Sequence, residues 1–385
     1  MGMLRTTLLA TTVVGVVAVN AKLQKKKRDG RLTSISALIT HTVPTMIKMK
    51  RTLKANGVNA YRKKIFSPSF KLSDHWKCRE TDVLLSIPAK AGSTWCNHMC
   101  HQLRVGGDPN TNYNQDLLDV IPWVDQNIES VCHKDDPIPA DPAAGPGAYD
   151  MNADHAGTDI RCFKTHLPWS KVKDLNCRKI YIFRSTVDQL YSFARFRNNI
   201  FGLSDDPQGI INLQIMKGFI EEQLINLCEF WEHRNDEKVG FFFYDHLKED
   251  HVGSVERLAI KMGITPTKEL VDTVVKQSTV AFMSADEHHL RFDGFRQLAR
   301  IKGCQIEISR FPKVSGQSPP GEWKSIKVVQ NGGMSSKTST KKSKPPGKED
   351  VERCFQIAWD KIVLPRTGFT NYLSMQDAWK TELLQ

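Results

Sequence analysis

An α/β fold is what this sequence predicts, and three observations predict it. Short runs with the bulk of buried strands, Val83–Ile87, Arg161–Pro168, Lys179–Arg184 and Val239–Tyr244, alternate along the chain with stretches of helical periodicity. Between the first run and the helix that follows it lies the loop Pro88-Ala89-Lys90-Ala91-Gly92-Ser93-Thr94, a strand-loop-helix that is P-loop-like in its physics. Loop amides and a helix N-terminus point at an anion there, and a lysine neutralises it. Finally, 385 residues with 40% hydrophobic and 25% charged content are enough for one large α/β domain with insertions, or for two ordinary domains.

From the N-terminus, Thr6 to Ala21 is an apolar segment followed at once by Lys22, Lys25, Lys26, Lys27 and Arg28. The basic cluster on its C-terminal side favours a membrane anchor that leaves the rest of the chain in the cytoplasm. A cleaved signal ending at Val19-Asn20-Ala21, or an organelle-targeting peptide, stays open. No Asn-x-Ser/Thr acceptor occurs in the chain, which agrees with a domain that does not enter the secretory lumen. Residues 34–54 read as a basic helix interrupted by Pro44, with Ile35, Leu38, Ile39, Val43, Met46 and Ile47 near one side, to lie on an anionic membrane surface or to pack on the domain.

The excess of 54 Lys and Arg over 42 Asp and Glu, +12, suits a polyanionic ligand, but part of it sits in tails and no nucleic-acid partner is read from it. The 9 cysteines show neither zinc spacing nor a disulfide framework, so reduced thiols are expected.

Beyond the loop, a helix is expected over Thr94–Leu103. Asp119-Val120-Ile121-Pro122-Trp123 reads as a turn with two large apolar groups, to line a substrate cavity or to pack in the core. Residues 135–157, rich in Pro, Ala, Gly and Asp, form a long loop of the kind that contributes to substrate choice. The strand ending at Pro168 carries Lys164 and His166, and an imidazole with an ordinary pKa of about 6.5 keeps a neutral, proton-accepting form at cellular pH. Arg184 ends the next strand, and Ser185 to Phe193 opens a helix. A guanidinium binds phosphate through two parallel hydrogen bonds, as a lysine cannot. Residues 208–233 carry one helical pattern, the helix near Val255–Met262 stops at Gly263, and residues 331–350 read as a mobile polar loop before order returns at Val351.

The order Lys90-Ala91-Gly92-Ser93-Thr94-Trp95 resembles the 5′-phosphosulfate loop of sulfotransferases, commonly Pro-Lys-Ser-Gly-Thr-Thr-Trp, with Ala89 as one extra residue after Pro88. Lys164-Thr165-His166-Leu167-Pro168 resembles the segment whose histidine is that family's catalytic base. Arg184, Asp188 and Ser192 match the family's Arg-x-x-x-Asp-x-x-x-Ser, whose arginine and serine grip the 3′-phosphate of the nucleotide. Phe241 stands where a tyrosine near the adenine is frequent, and Ser278 where a threonine contacts the nucleotide, although Val280 replaces the usual phenylalanine. Gly321-Glu322-Trp323-Lys324 is similar to the family's Gly-Asp-Trp-Lys. The Arg-Lys-Gly clamp expected ahead of it reads Gly316-Gln317-Ser318, leaving Arg310, Lys313 or Lys324 to supply the charge. Thr367 to Tyr372 resembles the ending of a microbial and algal branch.

The resemblance, from Thr81 to Tyr372, implies the sulfotransferase fold: a central parallel sheet flanked by helices, with the nucleotide at the C-terminal strand ends. It implies transfer of a sulfuryl group from 3′-phosphoadenosine 5′-phosphosulfate to a small alcohol, phenol, sterol or amine, with His166 as base and Lys90 and Lys164 meeting developing charge. Ala91, Gly92, Ser93 and Thr94 would hold the 5′-phosphate, Trp95 would lie against the adenine, and no metal would be needed. Three segments are expected: 1–28 as membrane anchor or targeting segment, 29–75 as basic, partly helical extension, and, from the resemblance, 76–385 as the sulfotransferase domain with the mobile 331–350 loop. Localisation is expected in the cytoplasm with membrane association through residues 1–28, and oligomeric state stays open. A kinase-like site is opposed by the lack of Gly-Lys-Ser/Thr, and a nucleotide-binding pseudoenzyme by the presence of Lys90 and His166. A Golgi carbohydrate sulfotransferase in the secretory pathway stays open through the N-terminal segment.

Overall fold

The four apolar runs become strands β1 (Val83–Ser86), β2 (Cys162–Thr165), β3 (Arg178–Phe183) and β4 (Val239–Phe243) in a computed structural model. It describes residues 22–30, 32–33, 36, 38–48, 72, 76–108, 120–125, 152, 158–201, 207–284 and 347–383. All neighbouring strands are parallel, in the order β2-β1-β3-β4, with Val83 level with Cys162 and with Arg178, and Lys179 level with Val239. Every residue of β1, β2 and β4 is buried, which is why these runs read as continuously apolar and not as alternating.

After β1 the described helices are α1 (Ser93–Arg104), α2 (Trp169–Val172), α3 (Thr186–Phe201), α4 (Gln208–Met216), α5 (Phe219–Glu232), α6 (Tyr244–Glu249), α7 (His251–Met262), α8 (Lys268–Gln277), α9 (Val280–Ser284), α10 (Lys348–Ile362), α11 (Leu364–Thr367) and α12 (Tyr372–Leu383). The described residues fall into two compact units, one within 53–184 and 229–342, the other within 1–52, 185–228 and 343–385.

The sheet unit has helices on both faces, as the two-residue period of strands requires. On one face Tyr181 stacks on Phe230 at 4.1 Å, and Phe241 meets Tyr181 and Trp231 at 5.7 and 5.5 Å. On the other, Ile180, Gly240 and Phe242 lie against α7, so close that a Cβ on Gly240 would sit 2.6 Å from Ile180 and 3.1 Å from Lys261. At the N-terminal ends of the strands, Arg161 and Asp82 form a two-pronged ion pair at 2.7 and 2.8 Å with both side chains fully buried.

In the second unit the N-terminal residues pack on the C-terminal helix. A Cβ on Gly30 would sit 3.1 Å from Ile357 and 3.2 Å from the Cys354 carbonyl, and Arg353 donates to the Thr33 carbonyl at 2.9 Å. The basic-helix expectation is met in part, by a π-helical turn Leu38–Thr42 running into a helix over residues 43–48. Its packed side is not the apolar one: Thr42 and Thr45 are buried, while Val43, Met46 and Ile47 are 44–47% exposed. Gly209 of α4 has no side chain, and the Thr45 hydroxyl and the His41 carbonyl occupy the space a Cβ would need. The single helix expected over residues 208–233 is two, because Gly218 turns left-handed at φ 87° between α4 and α5. Helix α10 begins at Lys348, inside the stretch read as a mobile loop, since Gly347 at φ 74° supplies its start; residues 331–346 lie outside the described residues. So does the apolar segment 6–21; among the described residues no helix is long and apolar enough to cross a membrane.

Candidate active site

Because all four strands are parallel, their C-terminal ends share one edge, and each end delivers a residue singled out by sequence or its neighbour. After β1 the chain enters the loop, where the Ala91 amide donates to the Pro88 carbonyl at 3.0 Å and closes a turn. Lys90 takes a left-handed φ of 67° and Gly92 a φ of 103°. Gly92 is required twice over, since any Cβ there would come within 2.8 Å of the Tyr244 ring. Helix α1 starts at once, and among the described residues no side chain caps it. Its first N–H groups, of Ser93, Thr94 and Trp95, are aligned with the positive end of the helix dipole. Ala91 is fully buried under the loop, which therefore contributes main chain and not side chain at that position.

From the end of β3, Arg184 reaches across to the same loop: Nη1 donates to the Lys90 carbonyl at 3.1 Å, and its guanidinium lies 4.6 Å over the Tyr244 ring. Thus Arg184 stands beside the helix N-terminus and the main chain of Lys90, over one face of Tyr244, with the Lys248 ammonium 5.0 Å from the same ring. Trp95 is anchored by its indole N–H to the Ser278 carbonyl at 2.8 Å and meets Tyr244 edge-on at 6.0 Å and His251 at 5.3 Å.

At the end of β2, His166 directs Nδ1 to the Ile87 carbonyl at 2.5 Å. A carbonyl only accepts, so Nδ1 carries the proton and Nε2 keeps its lone pair. Burial, with the Lys164 ammonium next, pushes the imidazole down to about 3, so it stays neutral throughout ordinary pH. Trp123 packs edge-on against the imidazole at 4.9 Å and carries the Lys164 ammonium 3.9 Å over its face. The charge of a 4%-exposed lysine is thereby met in part by an aromatic quadrupole.

Lys90, Ala91, Gly92, Ser93, Thr94, Trp95, Lys164, His166, Arg184 and Ser278 are all in the sheet unit. Ser192 lies on α3, in the other unit, and Lys324 lies outside the described residues. Two expectations change in kind. Phe241 is 4% exposed in the aromatic core, because it precedes the strand end by two residues and faces α5. Tyr244, the first residue past β4, is the aromatic at the loop; its place directly after Phe241-Phe242-Phe243 was the available signal. The Ser278 hydroxyl is 1% exposed and bonded to the Val274 carbonyl at 2.6 Å and to His251 at 2.9 Å, so Ser278 serves the edge through its carbonyl. Sequence reading also missed Asp125, whose carboxylate accepts the His166 amide at 3.3 and 3.4 Å; the stretch singled out ended two residues short of it.

A family model described as the sulfotransferase domain matches residues 80–291, more than half of the chain. Amine sulfotransferase of Oryctolagus cuniculus is 24% identical over 240 residues, 60% of this chain and 72% of its own length. Cytosolic sulfotransferase 1 of Danio rerio is 23% identical over 283 residues, 69% of this chain and 84% of its own. The solved structure of retinol dehydratase in complex with androsterone and the inactive cofactor PAP covers 84% of this chain and 95% of its own at 15% identity, with a TM-score of 0.50; that likeness is one of fold.

Proposed function

The chain belongs to the sulfotransferase family, and from that premise we propose that it transfers a sulfuryl group from 3′-phosphoadenosine 5′-phosphosulfate to a hydroxyl or amine of a small acceptor, with His166 as general base. The observation that carries this reading is the tautomer of His166: Nδ1–H engaged by the Ile87 carbonyl, Nε2 basic, on the same strand-end edge as the Lys90 loop.

The chemistry follows from those positions. The acceptor O–H or N–H gives its proton to Nε2 as its heavy atom forms a bond to sulfur. The bond from sulfur to the bridging oxygen breaks, and that oxygen keeps the electron pair as part of 3′,5′-phosphoadenosine. Lys90 and the α1 amides of Ser93 and Thr94 are suited to the 5′-phosphate, and preorganised donors of this kind gain most where charge develops. Arg184 is assigned to the 3′-phosphate, Lys164 to charge near the transferring group, and Trp95 with Tyr244 to the adenine; Ser192 is a candidate for the 3′-phosphate on sequence alone. Lys324 remains a candidate for the 3′-phosphate, and residues 1–28 remain a candidate membrane anchor or targeting segment, both on sequence alone. Likeness to cytosolic sulfotransferase 1 of Danio rerio supports a reaction in the cytoplasm, and likeness to amine sulfotransferase puts an amine among the acceptors to try first.

The test is transfer from labelled donor to a panel of phenols, sterols, sugars and amines, alongside calorimetric affinities for 3′,5′-phosphoadenosine and AMP. We expect one acceptor class to be sulfated and 3′,5′-phosphoadenosine to bind at least tenfold more tightly, since charged hydrogen bonds to a 3′-phosphate contribute about 1.5–3 kcal/mol each. Equal affinities with no transfer to any acceptor overturn the reading.

A further inference from the structure

Pro122 to Val124 add a short parallel bridge beside β2. The Lys164 amide donates to the Pro122 carbonyl at 2.8 Å, and the Val124 amide donates to the Lys164 carbonyl at 2.9 Å. That register brings the next residue, Asp125, level with the end of β2, where it is 1% exposed. Its oxygens accept the His166 amide at 3.3 and 3.4 Å, and the Thr165 hydroxyl faces its carboxyl and favours the charged form. Thr165 Oγ1 accepts the Leu167 amide at 3.0 Å, which leaves its own proton directed to Asp125. One buried acid therefore gathers donors from two successive residues at the base. It does so through the main chain and a hydroxyl; the imidazole itself is held by the Ile87 carbonyl.

We propose that Asp125 is a positioning residue for His166: as a carboxylate it pins Thr165 and the His166 main chain so that Nδ1–H meets the Ile87 carbonyl and Nε2 faces the acceptor. This rests on the sulfuryl-transfer reading of His166. The groups that face Asp125 are Lys164, Thr165 and His166 from β2 and its end, and Trp123 from its own segment. Burial raises its carboxyl to about 6 despite the opposing pull of the Thr165 hydroxyl, the His166 amide, Trp123 and the Lys164 ammonium. Since His166 is pushed down to about 3, the group that changes charge as pH falls from 7 to 5 is the acid. A protonated Asp125 carries an O–H of its own, which competes with the Thr165 hydroxyl and removes the charge that both donors face.

The test compares wild type, Asp125→Asn and Asp125→Ala between pH 5 and 8, reading kcat, acceptor KM and affinity for 3′,5′-phosphoadenosine. In the wild type kcat is expected to fall about tenfold per pH unit below about 6, while nucleotide affinity holds. Asp125→Asn keeps the shape without the titration. Its kcat is expected to be about 10- to 100-fold lower than the wild-type plateau and flat across the range, with acceptor KM little changed. Asp125→Ala is expected to be lower still. A wild-type kcat with an unmoved acid limb in Asp125→Asn overturns the proposal and leaves sulfuryl transfer standing. A wild type that binds nucleotide but transfers to no acceptor overturns both. A measurement on the wild type alone is the ¹⁵N shift of His166: a constant Nδ1–H signature from pH 8 to 5 is expected, and an imidazole titrating near 6.5 overturns the assignment of the acid limb to Asp125.

Discussion

A neutral His166 with its proton fixed on Nδ1 makes two outcomes separable at the level of one residue. His166→Ala is expected to lower the transfer rate by roughly 10²–10⁴ while leaving affinity for 3′,5′-phosphoadenosine within about twofold, because the imidazole is not assigned to phosphate. Rates and calorimetry on the same preparation check it. A second histidine gives a stability prediction. His98 is 1% exposed, donates through Nε2 to the Gln277 carbonyl at 3.0 Å, and has no hydrogen-bond partner at Nδ1 among the described residues. Burial lowers it to about 4. The unfolded chain, near 6.5, then binds the proton first, so this contribution to stability is present above 6.5 and is lost as pH falls through 4. His98→Gln, whose amide N–H can make the same bond, should show a shallower loss of thermal stability between pH 6.5 and 4 than the wild type. The residue types at these sites were legible in the sequence; which nitrogen carries the proton was not, because that depends on the Ile87 carbonyl, 79 positions away.

Among the elements, the sheet decides where chemistry collects. Strands β1, β3 and β4 were legible within one residue and β2 within three, since fully buried strands leave continuous apolar runs. Their facing was not. Phe241 and Tyr244 are three residues apart and belong to different environments, because the strand ends at Phe243 and the chain turns there. The same sheet holds the Arg161–Asp82 ion pair between the starts of β1 and β2. Removing one partner strands the other charge in the interior, so Asp82→Ala is expected to lower unfolding free energy by about 3–5 kcal/mol. The double variant Asp82→Leu/Arg161→Met should recover part of that loss. Urea melts of the three proteins check both; equal stability of Asp82→Ala and wild type would show that the pair is not held dry.

Across the whole molecule, the N-terminal residues that read as an extension contribute to the same compact unit as α10. Asp29 lies 3.7 Å from Lys361, Gly30 sits on Ile357, and the Thr33 hydroxyl donates to Asn212 at 2.9 Å. A truncation of residues 1–21 keeps these contacts and serves as the reference. Deleting through Thr33 uncovers α10 and α4 and is expected to lower the melting temperature by several degrees, as a loss of about 1–3 kcal/mol would. Differential scanning fluorimetry on the two truncations, with and without 3′,5′-phosphoadenosine, checks this. Equal melting temperatures would show that residues 22–33 add nothing to the unit.

The sequence by itself determined the α/β class, the loop that opens α1, and the identity of Lys90, His166 and Arg184, because each depends on local pattern: apolar run, glycine, proline, and charge at a strand end. Only the tertiary structure decided that Arg184 reaches the Lys90 carbonyl, that Tyr244 and not Phe241 is the aromatic beside Gly92, and that a buried Asp125 holds the main chain of the base. Those contacts join residues 41 to 152 positions apart, and no periodicity within a segment encodes which strand lies beside which. Parallel pairing in the order β2-β1-β3-β4 sets that, by bringing four distant strand ends to one edge.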